Sequence, residues 1–155
     1  KLIDPGSAAG LDGSIAKASD SGEPWFGYYW NPTSMVGKYN LQPVDFGVPF
    51  AGRDNWDNCI TLAEQDCANP KATAWTKSEV NSIVTANFAK TGGKEALSYV
   101  EKRVFPGEVM NGMLVYMADN QAKGSDAAVE FLIKHEDVWT KWVSSSAAKK
   151  IKKSL

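Results

Sequence analysis

The second half of this chain carries more amphipathic helix than its few strand-like segments can support, and that imbalance most constrains its fold. Apolar residues recur at helical spacing in the sets Val80, Ile83, Val84, Phe88; Ala96, Leu97, Val100, Val104; and Val109, Met110, Met113, Leu114, Met117. Two further sets follow, Ala128, Phe131, Leu132 and Val138, Trp139, Trp142, Val143. Each set makes one stripe on a 3.6-residue helix. Strand-like patterns are confined to residues 25–30 and 44–48 and a short apolar stretch at 59–63. Helices of an α/β domain must cover a sheet, so the expected class is α/β with its remaining strands supplied from elsewhere.

The local punctuation gives an order of elements. Asp4-Pro5-Gly6 reads as a turn, Ser7 as the cap of a helix carrying Leu11, Ile15 and Ala18 on one face, and Ser21-Gly22 as its stop. The aromatic strand at 25–30 ends at Asn31-Pro32, and a short helical piece is expected at 34–38. Thr76 and Glu79 have capping-box spacing for the helix that would carry Val80 to Phe88. Thr91-Gly92-Gly93, Pro106-Gly107 and Lys123-Gly124 separate the later helices. The opening residues 1–6 read as the end of a strand inside a longer chain, so the lack of a secretory signal says little about compartment.

With 155 residues and 43% hydrophobic content, the chain suffices for one lobe with a real core. A formal net charge of -1 leaves no overall field for phosphate backbones, so no nucleic-acid partner is expected. The basic run Lys149, Lys150, Lys152 and Lys153 reads as a solvated helix end, where cations suit the dipole. No apolar stretch approaches the ~20 residues of a membrane span.

Chemistry has little support in the sequence. His135 is the single histidine and reads as a surface residue beside Glu136 and Asp137, with no nucleophile elbow to serve. Glu23, Asp45, Asp54 and Asp57 form no marked acid/base pair. No catalytic residue, metal or cofactor is assigned. Cys59 and Cys67, with seven residues between them, do not have zinc or Cys-x-x-Cys spacing. A local disulfide, implying an oxidising compartment, is the favoured reading; two unrelated thiols are the alternative. Met110, Met113 and Met117 read as a core stripe.

Residues 25–30 are the informative segment, since five of the six are aromatic. In a strand, Trp25, Gly27 and Tyr29 would share one face, and Phe26, Tyr28 and Trp30 the other. A central strand buried on both faces explains such a run. Trp30, however, stands at the carboxyl end, where ligands of open α/β sheets bind. An indole there attracts cations, and quaternary ammonium groups in particular, at about 0.5–2 kcal/mol per ring.

The stretch Gly22-Glu23-Pro24-Trp25-Phe26-Gly27-Tyr28-Tyr29-Trp30-Asn31-Pro32-Thr33 resembles the E-P-x-x-x-Y-Y-W-x-P segment of glycine betaine and proline betaine binding proteins of ABC importers. Gly6-Ser7-Ala8-Ala9, the segment from Val44 to Phe50 and the stretch from Asp137 to Val143 are similar to flanking parts of the C-terminal half of that family, in its own order. The resemblance implies a two-lobed, type II periplasmic-binding-protein fold. Residues 1–48 would belong to lobe II and 49–155 to lobe I, with the N-terminal half supplied separately. It further implies Trp30 as a cage tryptophan, flanked by Tyr28 and Tyr29, for a small zwitterionic or cationic solute. The implied partner is a membrane ABC permease, the compartment periplasmic. Asn31 and the Thr33-Ser34 pair depart from the commonest pattern, in which another aromatic follows the proline. A carbohydrate-active hydrolase or sugar-binding domain using the aromatic strand as a platform is the alternative, and a purely structural domain with Trp30 buried in its core is a third.

Overall fold

The computed structural model describes residues 3–76 and 78–155. In chain order they form α1 (Ala8–Asp20), α2 (Ser34–Tyr39) and α3 (Arg53–Asn55), which runs into a π-helical turn (Trp56–Ile60) and then a 3-10 turn (Glu64–Asp66). There follow α4 (Ala86–Thr91), α5 (Lys94–Lys102), α6 (Gly107–Asn120), α7 (Gly124–Lys134), α8 (Glu136–Trp139) and α9 (Ser145–Ser154). The chain divides into two compact units, one of residues up to Gln42 with Ser82–Leu155, the other Pro43–Asn81.

The first unit is helical. Ser7 accepts a hydrogen bond from the Gly10 N–H and starts α1, whose Ile15 is fully buried. Thr33 caps α2 by accepting from the Val36 N–H. α2 packs on α6, α1 on α2, and α6 on α7. The core gathers Met113 of α6, Ala127 and Phe131 of α7, Val138 and Trp139 of α8, Trp142 of the turn that follows α8, and Ala148 of α9. Phe131 and Trp142 stack at 5.5 Å, and the Phe105 ring meets Trp142 edge-on at 4.9 Å. Trp139 is 2% exposed and satisfies its indole N–H on the Leu132 carbonyl at 2.8 Å, as a buried polar tip must. His135, expected at the surface, is partly buried and stacks on Phe131 at 5.6 Å, where its backbone joins α7 to α8.

The second unit is built around Trp56, against which Phe50 and Trp75 pack at 6.0 and 5.0 Å. Buried Asn55 gives its amide N–H to the Lys71 carbonyl and accepts from the Lys71 N–H. One side chain thereby imitates the two-bond pairing of adjacent strands. A disulfide joins Cys59 to Cys67.

Three expectations fail here. Among the described residues there is no strand. Extended backbone becomes a strand only when a neighbour takes its N–H and C=O groups, and residues 25–30 are held instead by side-chain bonds to α1. Residues 44–48 are interrupted by a turn in which Asp45 accepts from the Gly47 N–H and Gly47 takes a φ of +69°. At 59–63 the chain ends a π-helical turn, with the Thr61 hydroxyl donating to the Asp57 carbonyl.

The helix expected to carry Val80 to Phe88 is also shorter. Residues 78–85 are not helical, and α4 starts at the Thr85 cap, which accepts from the Phe88 N–H at 3.1 Å. Val80, Ile83, Val84 and Thr85 are β-branched and Asn81 and Ser82 compete for backbone bonds, so this stretch has poor helix propensity. The expected Thr76–Glu79 capping box spans residue 77, which lies outside the described residues, as do residues 1 and 2 of the expected opening strand end.

Candidate functional site

The aromatic segment leaves α1 through Gly22, whose φ of +67° turns the chain back along the helix. Side-chain bonds tie it there. The Trp25 indole N–H donates to Ser14 Oγ at 3.0 Å, and the Tyr29 hydroxyl donates to Asp12 Oδ1 at 2.6 Å. Partial burial, then the bond to Asp12 and the charge of that carboxylate, push the Tyr29 hydroxyl from its ordinary value near 10 up to about 12. These three causes disfavour the tyrosinate and outweigh the opposing hydrogen bond of Thr33, so Tyr29 stays a neutral donor.

With Tyr29 anchored, Trp30 stacks on it at 4.5 Å with the planes 18° apart. Tyr28 lies 6.4 Å from the same indole at 34°. The alternation expected of a strand, with Tyr29 and Trp30 on opposite faces, is not what forms. Irregular extended backbone lets consecutive rings turn to one side. Trp30 remains 47% exposed, which removes the reading of a purely structural indole buried in the core.

The chain then passes through a cis Asn31-Pro32 bond into α2. Asn111 of α6 accepts the Thr33 backbone N–H at 2.9 Å. Beside this turn lies an open cleft of about 500 Å³ between α2 and α6, lined by Asn31, Val36, Asn40, Gln42, Glu108, Asn111 and neighbouring residues. Asn31 borders the cleft, whereas Trp30 stands outside it.

Sequence reasoning missed Asp12, Ser14 and Asn111, which hold the segment. Asp12 and Ser14 are on α1, and their spacing from Trp25 and Tyr29 carries no motif; Asn111 is 78 positions from Thr33. Among the described residues no group of His, Cys, Asp and Glu is arranged to hold a metal, and no helix is long and apolar enough to cross a membrane.

Residues 1–134 match the family described as the substrate binding domain of the ABC-type glycine betaine transport system. The chain belongs to that family. No curated protein and no solved structure gives a significant match. Membership makes the chain a substrate-binding component of an importer for glycine betaine-type solutes, with a small ligand and a permease as the partners of its class. The family implies the type II binding-protein fold, of which the described residues supply helices.

Proposed function

We propose that this chain captures glycine betaine, proline betaine or a choline-like solute without altering it, and that Trp30, Tyr28 and Tyr29 supply the aromatic surface for its quaternary nitrogen. The observation that carries the reading is the exposed Trp30 indole held in a ring stack within a glycine betaine binding family. A methylated ammonium has no N–H to satisfy, so a π face suits it better than a carboxylate would. The family match favours capture over the carbohydrate-active alternative. The solute is taken up outside the cytoplasm and handed to a membrane permease. The Cys59–Cys67 disulfide is consistent with that oxidising setting.

The proposal includes a two-lobed fold in which residues 1–48 belong to lobe II, residues 49–155 return to lobe I, and a further segment brings strands. Support comes from Val80 and Ile83, which are 99% and 92% exposed, and from extended segments without ladders. Since α2 packs on α6 here, this assignment requires that contact to open when the two lobes form. Ligand would then favour the closed arrangement by population shift.

The test is a titration with glycine betaine, proline betaine and choline, followed by tryptophan fluorescence, with and without the family's N-terminal half. We expect weak binding by the chain alone and binding near micromolar when the halves are combined. Trp30→Ala should then weaken affinity at least about fivefold, the worth of one cation–π face. Unchanged affinity removes Trp30 from the site, and micromolar binding by the chain alone overturns the two-segment reading.

A further inference from the structure

Charge is distributed unevenly along this chain. All eighteen carboxylate side chains lie in residues 1–137, together with twelve of the seventeen basic residues. The last eighteen residues carry five lysines and no acidic side chain. A net charge of -1 therefore conceals an acidic body and a basic end, the asymmetry expected of a chain that meets an anionic surface. The basic end begins just after the family match, which stops at residue 134.

The structure turns that end into one organised face. Ser144 caps α9 by accepting from the Ala147 N–H, and Ala148 and Ile151 pack into the core. At about 100° per residue, Lys149, Lys150, Lys152 and Lys153 fall within an arc of about 160° on the opposite side. All four are exposed. Lys152 pairs with Glu136; among the described residues Lys149, Lys150 and Lys153 make no ion pair. The apolar side is already used by the core, so α9 is fitted for contact by charge and not for insertion.

We propose that the lysine face of α9 is an electrostatic docking surface for an anionic lipid membrane. The argument for lipid over an acidic protein is the kind of cation. Arginine forks suit fixed carboxylate geometry, whereas lysine is a flexible point charge without directional demand. A broad arc of lysines alone matches a diffuse array of headgroups, where each lysine near the surface contributes about 1 kcal/mol. The inference does not depend on the aromatic cage.

The experiment is co-sedimentation of the full chain with vesicles of phosphatidylglycerol and phosphatidylcholine in equal parts, against pure phosphatidylcholine, over a salt series. Expected is binding to the anionic vesicles alone, weakening as salt rises. The variant Lys149→Gln, Lys150→Gln, Lys153→Gln should lose roughly a hundredfold in partitioning, about fivefold per lysine. It leaves Lys152 on Glu136, and circular dichroism checks its fold. Neutralising exposed Lys90, Lys94 and Lys102 instead changes net charge equally and should have little effect. Equal binding to neutral vesicles, or equal loss in both triple variants, overturns the proposal. So does binding of polyglutamate without binding of anionic vesicles, which would assign the face to an acidic protein.

Discussion

The Tyr29 hydroxyl donates to Asp12 at 2.6 Å and, from that anchored position, its ring lies flat against Trp30. A charge-assisted bond to α1 thus sets the attitude of an indole one residue further on. Removing the donor with Tyr29→Phe should destabilise the chain by about 1.5 kcal/mol, the usual worth of a hydrogen bond to a charged group, as read from urea unfolding. Near-unchanged stability together with an unchanged tryptophan emission spectrum would show that the bond does not position the ring.

The same pair predicts a pH dependence. The hydroxyl is raised in the folded state, from near 10 up to about 12, so the folded chain holds this proton more tightly than the unfolded one. Its contribution is complete below about pH 10 and is lost as pH climbs towards 12. Asp12→Asn should remove the part due to the carboxylate and leave the part due to burial, measured as unfolding midpoints across alkaline pH, while Tyr29→Phe abolishes it altogether.

Two glycines facing the cleft should respond with opposite sign to the same substitution. A Cβ at Gly37 would sit 2.9 Å from Val115 Cγ2 and 3.1 Å from the Asn111 carbonyl oxygen, forcing α2 off α6. Gly37→Ala should cost about 1–3 kcal/mol. A Cβ at Gly112, inside α6, meets nothing within 4 Å. Gly112→Ala should stabilise by up to about 1 kcal/mol through helix propensity, and calorimetry on both variants checks the contrast.

Trp139 concentrates the core of the helical unit. Its truncation to Ala should cost about 3–5 kcal/mol and expose the Leu132 carbonyl, which it caps at 2.8 Å. Trp139→Phe should keep most of the packing and lose mainly the indole bond, about 1–2 kcal/mol. Chemical denaturation of the two variants separates these contributions.

In the smaller unit, the Cys59–Cys67 disulfide closes a loop across a sequence separation of 8. A loop of this size removes enough entropy from the unfolded chain to contribute about 2.5 kcal/mol. Cys59→Ser with Cys67→Ser should lose about that amount, seen as earlier proteolysis between residues 43 and 81.

How much of this was legible in the sequence depended on distance along the chain. Ser7 and the stripe of Leu11, Ile15 and Ala18 marked α1, and the apolar sets around Met113 and Phe131 marked α6 and α7, because caps and helical stripes are local properties. Strands at 25–30, 44–48 and 59–63 were misjudged, because β-branched and aromatic content says only that a segment suits a sheet. Whether a neighbour exists to complete the ladder is a non-local fact. The aromatic segment was legible as the notable feature; its anchors were not, since neither Asp12 nor Asn111 carries a pattern pointing to its partner.

The bond from the Thr33 amide to Asn111 crosses 78 positions of sequence, and it places the turn after Trp30 under the control of the longest helix. Any tilt of α6 must be transmitted to that turn. In protein labelled with fluorotryptophan, the Trp30 resonance would therefore act as a gauge of α6, shifting with substitutions on that helix that never touch the indole.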